Sequence, residues 1–484
     1  MIDPNYAWPA ADRAWSDLPE PARRAMVTSG AAAWEQVFHG RATYNKQWRL
    51  ARPPVLTADA WRELNEVCDR LAQLILDACR RRAGTAGELR RLLDVPAGET
   101  RLLDESEPLS EALLAAYRPD VIFSAGVPKF VEYNIDSSLG GGFDADTVIQ
   151  RFARLYQEQG ILDDLPARAA PSLLDQRFVA IRDELRLPDG ARVALLMDFD
   201  SDYPGLDDPQ TFIRILDPLA VRARDFGIDL VIAPVSTATL DADSRLVVDG
   251  APVDALFRLF VPNRVTPTAG LDAVAGALAA GTLPMFVSAA AWLLGNKTTF
   301  AWLWEDVDGL PADDQALVRR HVPYTVPLTA AVLDRAIADQ AKLVAKPADG
   351  SAGHGVLLGP ELSPTDWADG VRAAVDQGGA ILQEYLPTDR VSMDFVQIET
   401  GETVTAEVPY SLAPYLFGRH ASGGLARVGY PGCHGVLNLA HGVLLTGVLL
   451  KDKPPPPHPT HPHPTPTPPA PGDQEVSVMT RQVR

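Results

Sequence analysis

The sequence predicts a multidomain chain of the α/β and α+β classes. Apolar residues recur at helical spacing in residues 1 to 165, which are therefore expected to be mostly helical. Short apolar strands alternate with helical stretches in residues 166 to 290, the pattern of a parallel sheet. From residue 291 to 450 short apolar strands are followed by glycine-rich and polar turns. A chain of 484 residues can bury several cores.

The helical prediction depends most on the segment that follows Thr57. This threonine is a suitable N-cap, and the apolar residues after it fall on one helical face. That face is expected to be core, and its members are Leu64, Val67, Leu71, Leu74 and Ile75. In the next block, the apolar strands are predicted at residues 193–198, 230–233 and 255–260. Arg258 interrupts the last of these, and a buried charge needs a partner, for which a substrate carboxylate is one candidate.

A glycine-rich turn between two short strands is the most informative feature of the chain. Lys346 ends the first strand, and Gly350, Gly353 and Gly355 follow before apolar sequence resumes at Val356. Glycines let backbone N–H groups approach an anion closely, and the lysine adds a positive charge. This arrangement indicates a phosphate cradle and differs from a P-loop, in which a helix follows. The alternative is a glycine-bearing hairpin with a surface lysine.

A second strand supports the functional interpretation. Residues 380–386 are apolar at first and turn polar at Gln383 and Glu384, just before Tyr385. An adenine ring requires an apolar slot with hydrogen-bonding groups at one edge, and the end of such a strand supplies both.

Lys-Pro-x-x-Gly-Ser-x-Gly-x-Gly-Val followed by Gln-Glu-Tyr resembles the ATP-grasp superfamily, and the resemblance extends over roughly residues 290 to 442. It implies two α+β subdomains that clamp ATP in residues 291–450, preceded by a Rossmann-like preATP-grasp domain in residues 166–290. It also implies a first ATP-contacting lysine on a helix. The residues implied to bind the nucleotide are Lys297, Lys346, Gly350, Ser351, Gly353, Gly355, Gln383, Glu384 and Tyr385.

The resemblance also implies catalytic and metal-binding residues. Arg427 would stabilise the transferring phosphoryl group together with Lys346, and Asn438 would bind Mg²⁺. Many family members have Glu-x-Asn at the closing motif, but here Val436 occupies the first position and cannot bind a cation. Another carboxylate would then complete the site, with Glu407 ranked ahead of Asp394. Each of these two also fits a solvated strand residue.

A polar strand in the N-terminal region predicts the substrate site. Glu132, Asn134 and Asp136 recur at period two, so they share one face, and Ser137 begins a Ser/Gly turn. This cluster suits a small polar ligand that carries an amine or a carboxylate. The alternative is a half-exposed edge strand with a solvated face. The Glu-x-Asn segment resembles that of glutathionylspermidine-synthase-like ATP-grasp proteins.

Composition narrows the class of protein. A formal net charge of −19 argues against non-specific nucleic-acid binding, which depends on clustered cations. Three cysteines without CxxC spacing indicate neither a disulfide framework nor a zinc site. The N-terminus lacks the pattern of a signal peptide, and no apolar run approaches the roughly 20 residues that span a bilayer. We expect a cytoplasmic protein with small-molecule partners and neither nucleic acid nor membrane as a partner, and the sequence leaves a homodimer open.

The C-terminal segment changes character after residue 450. Valines and leucines in residues 443–450 are expected to belong to the core, whereas residues 451–484 are rich in Pro, His and Thr and are expected to be disordered. Family members usually finish with a helix instead.

Taken with the resemblance, these features predict an ATP-dependent carboxylate–amine ligase that uses ATP and Mg²⁺ and forms an amide or peptide-like bond through an acyl phosphate. Two alternatives stay open. One is a phosphotransferase of the same fold, and the other is a catalytically idle protein that binds ATP or a partner.

Overall fold

The computed structural model describes residues 11–39, 45–163, 165, 167–199, 208–350, 353–435, 437–438 and 441–452. Ser351, Val436 and residues 453–484, nearly all of the proline-rich tail, lie outside the described residues, and the predictions made for them stay predictions.

The described residues form both helices and strands. The α-helices are α1 Ala11–Ser16, α2 Glu20–Ala32, α3 Trp34–Phe38, α4 Ala58–Arg80, α5 Ala86–Leu92, α6 Gly142–Glu158, α7 Leu173–Leu185, α8 Pro209–Ile215, α9 Asp217–Arg224, α10 Ala269–Ala279, α11 Ala291–Leu294, α12 Thr298–Asp306, α13 Ala312–His321, α14 Leu333–Ala338 and α15 Pro364–Gln377. The strands are β1 Trp48–Leu50, β2 Val55–Thr57, β3 Ala116–Ser124, β4 Val127–Ile135, β5 Ala167–Ala169, β6 Ala191–Met197, β7 Ile228–Pro234, β8 Thr239–Leu240, β9 Leu246–Val248, β10 Ala251–Pro252, β11 Ala255–Arg258, β12 Met285–Phe286, β13 Thr325–Pro327, β14 Leu343–Pro347, β15 Leu357–Leu358, β16 Ala380–Glu384, β17 Arg390–Gln397, β18 Thr403–Phe417, β19 His420–Val428, β20 Leu444–Thr446 and β21 Leu449–Lys451.

The long helix α4 begins where the sequence predicts. The side-chain oxygen of Thr57 accepts a hydrogen bond from the backbone N–H of Ala60, which satisfies one of the donors left open at the helix start. The five predicted core positions on this helix are all buried. No helix among the described residues combines the length and apolar character needed to cross a bilayer.

The predicted parallel sheet is present in the second block. Its strands lie in the order β12-β11-β6-β7, and every pair in it is parallel. Strands of a parallel sheet are covered on both faces and therefore read as continuous apolar runs, which is why the sequence identified them.

A seven-stranded antiparallel sheet joins the two ends of the chain. Strand β18 pairs with β17 and β19 and also with β3, whose hairpin partner is β4. The polar strand of the N-terminal region therefore lies in the same sheet as Arg427 of β19. A smaller sheet, β13-β16-β14-β15, carries Lys346 on β14 and Gln383 on β16, and α15 packs on it through the buried side chain of Trp367.

The segment after the closing motif belongs to the core, as predicted. Val443, Leu444, Val448, Leu449 and Leu450 are buried. Strand β20 extends the large sheet, and β21 pairs in parallel with β2 and antiparallel with β5. Two short strands thus occupy the place where the resemblance implies a terminal helix.

Candidate active site

A cavity of about 540 Å³ lies between the seven-stranded sheet and the smaller sheet. This volume is typical of pockets that bind small molecules. Most of the predicted site residues line it, namely Glu132, Asn134, Lys297, Lys346, Gly350, Gly353, Gln383, Glu384, Tyr385, Arg427 and Asn438.

Lys346 lies at the base of this cavity in a network of hydrogen bonds. Its Nζ donates to Oε1 of Gln383 at 2.7 Å and to the carbonyl oxygen of Val131 at 3.3 Å. Burial of the ammonium group, opposed by the charge of Glu132 and reinforced by that of Lys297, lowers the pKa of Lys346 to about 8. A lysine with a lowered pKa in a cavity is typical of a functional site.

The lowered pKa predicts a pH-dependent affinity for ATP. The ammonium of Lys346 is charged below pH 8 and loses its proton above it, whereas phosphate oxygens are already ionised above about pH 7. We expect the Kd for ATP to rise toward tenfold per pH unit between pH 8 and 9.5 by calorimetry, because the neutral amine no longer attracts phosphate. Lys346→Arg, which stays charged, should flatten this dependence. An unchanged slope in that variant would contradict the assignment.

The glycine loop has the conformation that its glycines were predicted to permit. Gly353 and Gly355 have φ angles of 75° and 71°, the left-handed region. A Cβ on Gly355 would lie 2.8 Å from Cγ of Pro347, so the loop folds back closely over the end of β14. His354, between the two glycines, lines the cavity.

Lys297 enters the cavity from the start of α12. It is the residue before the helix rather than a residue of it, which corrects the prediction by one position. Its side chain is only 5% exposed, and its Nζ lies 3.1 Å from Oε1 of Glu132 and donates to the carbonyl oxygen of Gly350. Its backbone N–H donates to the carbonyl oxygen of Ala348 at 2.8 Å. Lys297 therefore links β4 to the glycine loop.

The side chain of Gln383 is hydrogen-bonded within the protein at both ends. Its carboxamide oxygen accepts from Lys346 and its amide nitrogen donates to Oγ1 of Thr325 at 3.0 Å, so both ends are already bonded. The backbone N–H groups of Glu384 and Tyr385 also bond to protein carbonyl oxygens, each at 2.8 Å. Gln383 thus orients the lysine, and its contact with a nucleotide stays a prediction. The apolar part of the slot is supplied by Ile122, Val344, Leu358 and Leu386.

Two residues that the sequence interpretation missed complete the polar wall. Asp120 on β3 accepts from Arg427, with Oδ2 2.9 Å from Nη1, and its other oxygen lies 3.5 Å from Nε of Arg118. Burial opposes ionisation of Asp120, but the charges of Arg427 and Arg118 outweigh it and hold the pKa of this carboxyl below its usual value.

The hairpin register explains why these residues meet. Asp120 is the direct partner of Glu132, and Arg118 is the direct partner of Asn134, so all four side chains project from one face. The alternation of Arg118 and Asp120 in an otherwise apolar strand is the signal that identifies them, because it repeats the period-two pattern of the neighbouring strand.

The structure places neither Asp394 nor Glu407 in the cavity that Asn438 lines. Asp394 pairs with buried Arg52 and accepts from Thr405, and Glu407 is an exposed residue of β18. Neither lines the cavity, so Asn438 does not meet its predicted acidic partners. Among the described residues no cluster of three or more His, Cys, Asp or Glu side chains is arranged to hold a metal.

A different set of oxygen donors lines the same cavity as Asn438, namely the carboxylates of Asp120 and Glu132 and the amide of Asn134. Mg²⁺ is usually bound by one or two carboxylates together with phosphates and water. These residues therefore fit the chemistry of a Mg²⁺ ion bound with a nucleotide.

Asp136 and Ser137 do not line the large cavity of about 540 Å³. Both oxygens of Asp136 accept from the guanidinium of Arg258, and Ser137 Oγ donates to the Arg258 carbonyl oxygen at 2.6 Å. All three residues are buried. The candidate substrate role of Arg258 is corrected, because the arginine already has a protein carboxylate as its partner. Asp136 lines the smaller cavity described below, and contact of Asp136 or Ser137 with substrate stays a prediction.

A smaller cavity of about 100 Å³ adjoins the large one. The two share a wall that includes Glu132, Asn134, Ser138 and Gly140, and Trp292 lines the far side of the smaller cavity. The polar strand β4 therefore lines both the large cavity and a compartment large enough for a few atoms of a second ligand.

Comparison with solved structures shows the same fold in another protein. A glutathione synthetase-like effector, GSS30, from Globodera pallida superposes with a TM-score of 0.52 at 12% identity, over 93% of this chain and 99% of that chain. At that identity the likeness shows the fold alone. It confirms a mixed α/β fold.

Other solved structures are more distant. A γ-glutamylcysteine synthetase from Methylobacillus flagellatus gives a TM-score of 0.42 at 13% identity, over 82% of this chain and 89% of that one. The D-alanyl-alanine synthetase A of Vibrio cholerae gives 0.26 at 16% identity, over 47% and 68%. No protein-family model matches the sequence. No curated protein matches it either.

Proposed function

We propose that this protein is an ATP-dependent carboxylate–amine ligase that forms an amide or peptide-like bond on a small molecule. One observation carries the proposal: a single cavity collects two lysines, two arginines, a glycine loop and four carboxylates, Asp120 and Glu132 among them, beside an apolar slot. That set matches the parts of ATP and of a phosphoryl-transfer site. The Glu132-x-Asn134 strand supports the glutathionylspermidine-synthase-like type within the superfamily.

The charges and shape of the cavity fit ATP. Lys297 and Lys346 provide positive charge beneath the glycine loop, where a triphosphate requires it. The apolar slot for adenine would be formed by Ile122, Val344, Leu358 and Leu386. Asp120, Glu132 and Asn438 would hold Mg²⁺, which neutralises charge on phosphate oxygens.

In the proposed reaction an oxygen of the substrate carboxylate forms a bond to the γ-phosphorus of ATP, and ADP leaves with the electrons of the broken P–O bond. Arg427 would stabilise the charge that develops on the phosphoryl oxygens. The nitrogen of the amine then attacks the acyl carbon, phosphate leaves, and the nitrogen loses a proton. Closure of the glycine loop would exclude the water that otherwise hydrolyses the acyl phosphate.

The smaller cavity, which β4 lines, is the proposed place for the second substrate. Asn134 lies in the shared wall, so it can position either reacting group. Strand and helix elements carry the surrounding residues, which suits a site that must hold two reactants in register.

The test is mass spectrometry of purified protein incubated with ATP, Mg²⁺ and pools of amino acids and amines. We expect ADP, phosphate and a product whose mass equals that of one acid plus one amine less one water. Phosphorylated acid with ADP, formed without any amine, would favour a phosphotransferase. ATP binding without turnover in any pool would favour a non-catalytic binding protein.

A further inference from the structure

Two of the three cations proposed to bind phosphate, Lys297 and Arg427, are already paired with carboxylates of the same cavity. The third, Lys346, donates to Gln383 instead. Lys297 lies 3.1 Å from Glu132, and Arg427 lies 2.9 Å from Asp120. The side chains of Lys297 and Arg427 are 5% and 13% exposed, so water screens these pairs only weakly. Each cation therefore has a strong partner before any nucleotide arrives.

The fold places the two carboxylates side by side. Asp120 and Glu132 are direct cross-strand partners on β3 and β4. Lys297 approaches from the start of α12, and Arg427 comes from β19. Like charges in adjacent positions repel each other, so each carboxylate depends on its own cation in this state.

A nucleotide that bound alone would have to take both cations. Its phosphate oxygens would then leave two poorly solvated carboxylates without their partners, next to more negative charge, which is costly. A divalent cation at the carboxylates removes that cost, because it replaces the lysine and the arginine as their partner and releases both toward phosphate.

We propose that nucleotide and divalent cation bind to this site by ion-pair exchange. Glu132 and Asp120 hold Lys297 and Arg427 and so weaken nucleotide binding until a divalent cation binds to the two carboxylates. This inference rests on the proposed function only for the identity of the cavity as the nucleotide site. The coupling is reciprocal, since a nucleotide that holds Lys297 and Arg427 makes the carboxylates more available to the cation. The affinity of each ligand should rise by about 5- to 150-fold when the other is present.

The experiment measures ATP affinity of the full chain by calorimetry in EDTA and in Mg²⁺. In EDTA, Glu132→Gln is expected to bind ATP at least 5-fold more tightly than the unmodified protein, within the range of such couplings, because the amide no longer holds Lys297. Asp120→Asn should act in the same direction by releasing Arg427, and it serves as a second variant if the first is unstable. Melting curves check that both variants fold.

Glu361→Gln is the matched control. Glu361 lines the same cavity but forms no ion pair with a described residue, so its substitution makes the same change of charge without releasing a cation. If Glu361→Gln strengthened metal-free ATP binding as much as Glu132→Gln, or if neither pair variant strengthened it, ion-pair exchange would be wrong while ATP binding itself stood. Failure of every protein to bind ATP in either buffer would overturn the proposed function as well.

Discussion

Replacing Arg427 with methionine is expected to lower kcat for ADP formation by about a thousandfold or more, the effect of removing an arginine that stabilises a transferring phosphoryl group. The substituted side chain retains the apolar stem. Asp120 keeps Arg118 as a neighbour at 3.5 Å, so the fold should survive. The loss should therefore fall on the transition state, and ATP affinity in Mg²⁺ should change far less than kcat.

Arg427→Lys provides the control for charge alone. Lysine keeps the positive charge but lacks the planar guanidinium that pairs with two oxygens, so part of the activity should remain. Turnover, ATP affinity and melting temperature are measured on the same preparations. A methionine variant with kcat within tenfold of the unmodified protein would show that Arg427 supports the sheet and does not act on the phosphoryl group.

The glycine-loop side of the cavity could be predicted because its information is local in sequence. Lys346 and the three glycines lie within ten residues of one another, and their order predicts a conformation that the φ angles of Gly353 and Gly355 confirm. Short strands that end in polar residues were recognised in the same way.

The other side of the cavity depends on contacts that sequence spacing does not reveal. Asp120 meets Arg427 across more than 300 residues of chain, through the pairing of β3 with β18 and of β18 with β19. The carboxyl group of Asp394 was chosen as a metal ligand from its strand position, but tertiary packing places Arg52 beside it instead. Period-two patterns show which residues share a face and do not show what that face meets.

The same limit applies to the strand face of Glu132, Asn134 and Asp136. The first two line the large cavity, whereas Asp136 directly follows β4, pairs with Arg258 and lines only the smaller cavity. Arg258 interrupts an apolar strand, and this was a correct signal of a buried ion pair. The signal did not identify the partner, because the two residues are 122 positions apart.

Replacing Arg258 with methionine is expected to produce the largest loss of stability, about 3–5 kcal/mol, because it leaves the buried carboxylate of Asp136 without its cation. Arg258 is 0% exposed, and it also donates to the carbonyl oxygen of Phe260. The chain up to Asp452 forms one compact unit, and for a unit of that size such a loss lowers the melting temperature by roughly 3–5 °C.

A double variant and a matched surface variant separate the causes. Arg258→Met combined with Asp136→Leu removes both charges and should recover much of the lost stability, since apolar residues of similar volume often replace a buried pair without loss. Arg372→Met breaks the ion pair between Arg372 and Asp369, whose side chains are 53% and 71% exposed, and should change stability by less than about 1 kcal/mol. The melting curves of all three variants are compared with that of the unmodified protein. Similar shifts for Arg258→Met and Arg372→Met would mean that the Asp136 pair does not hold β4 against the parallel sheet, and the position of Glu132 and Asn134 would then need another source of support.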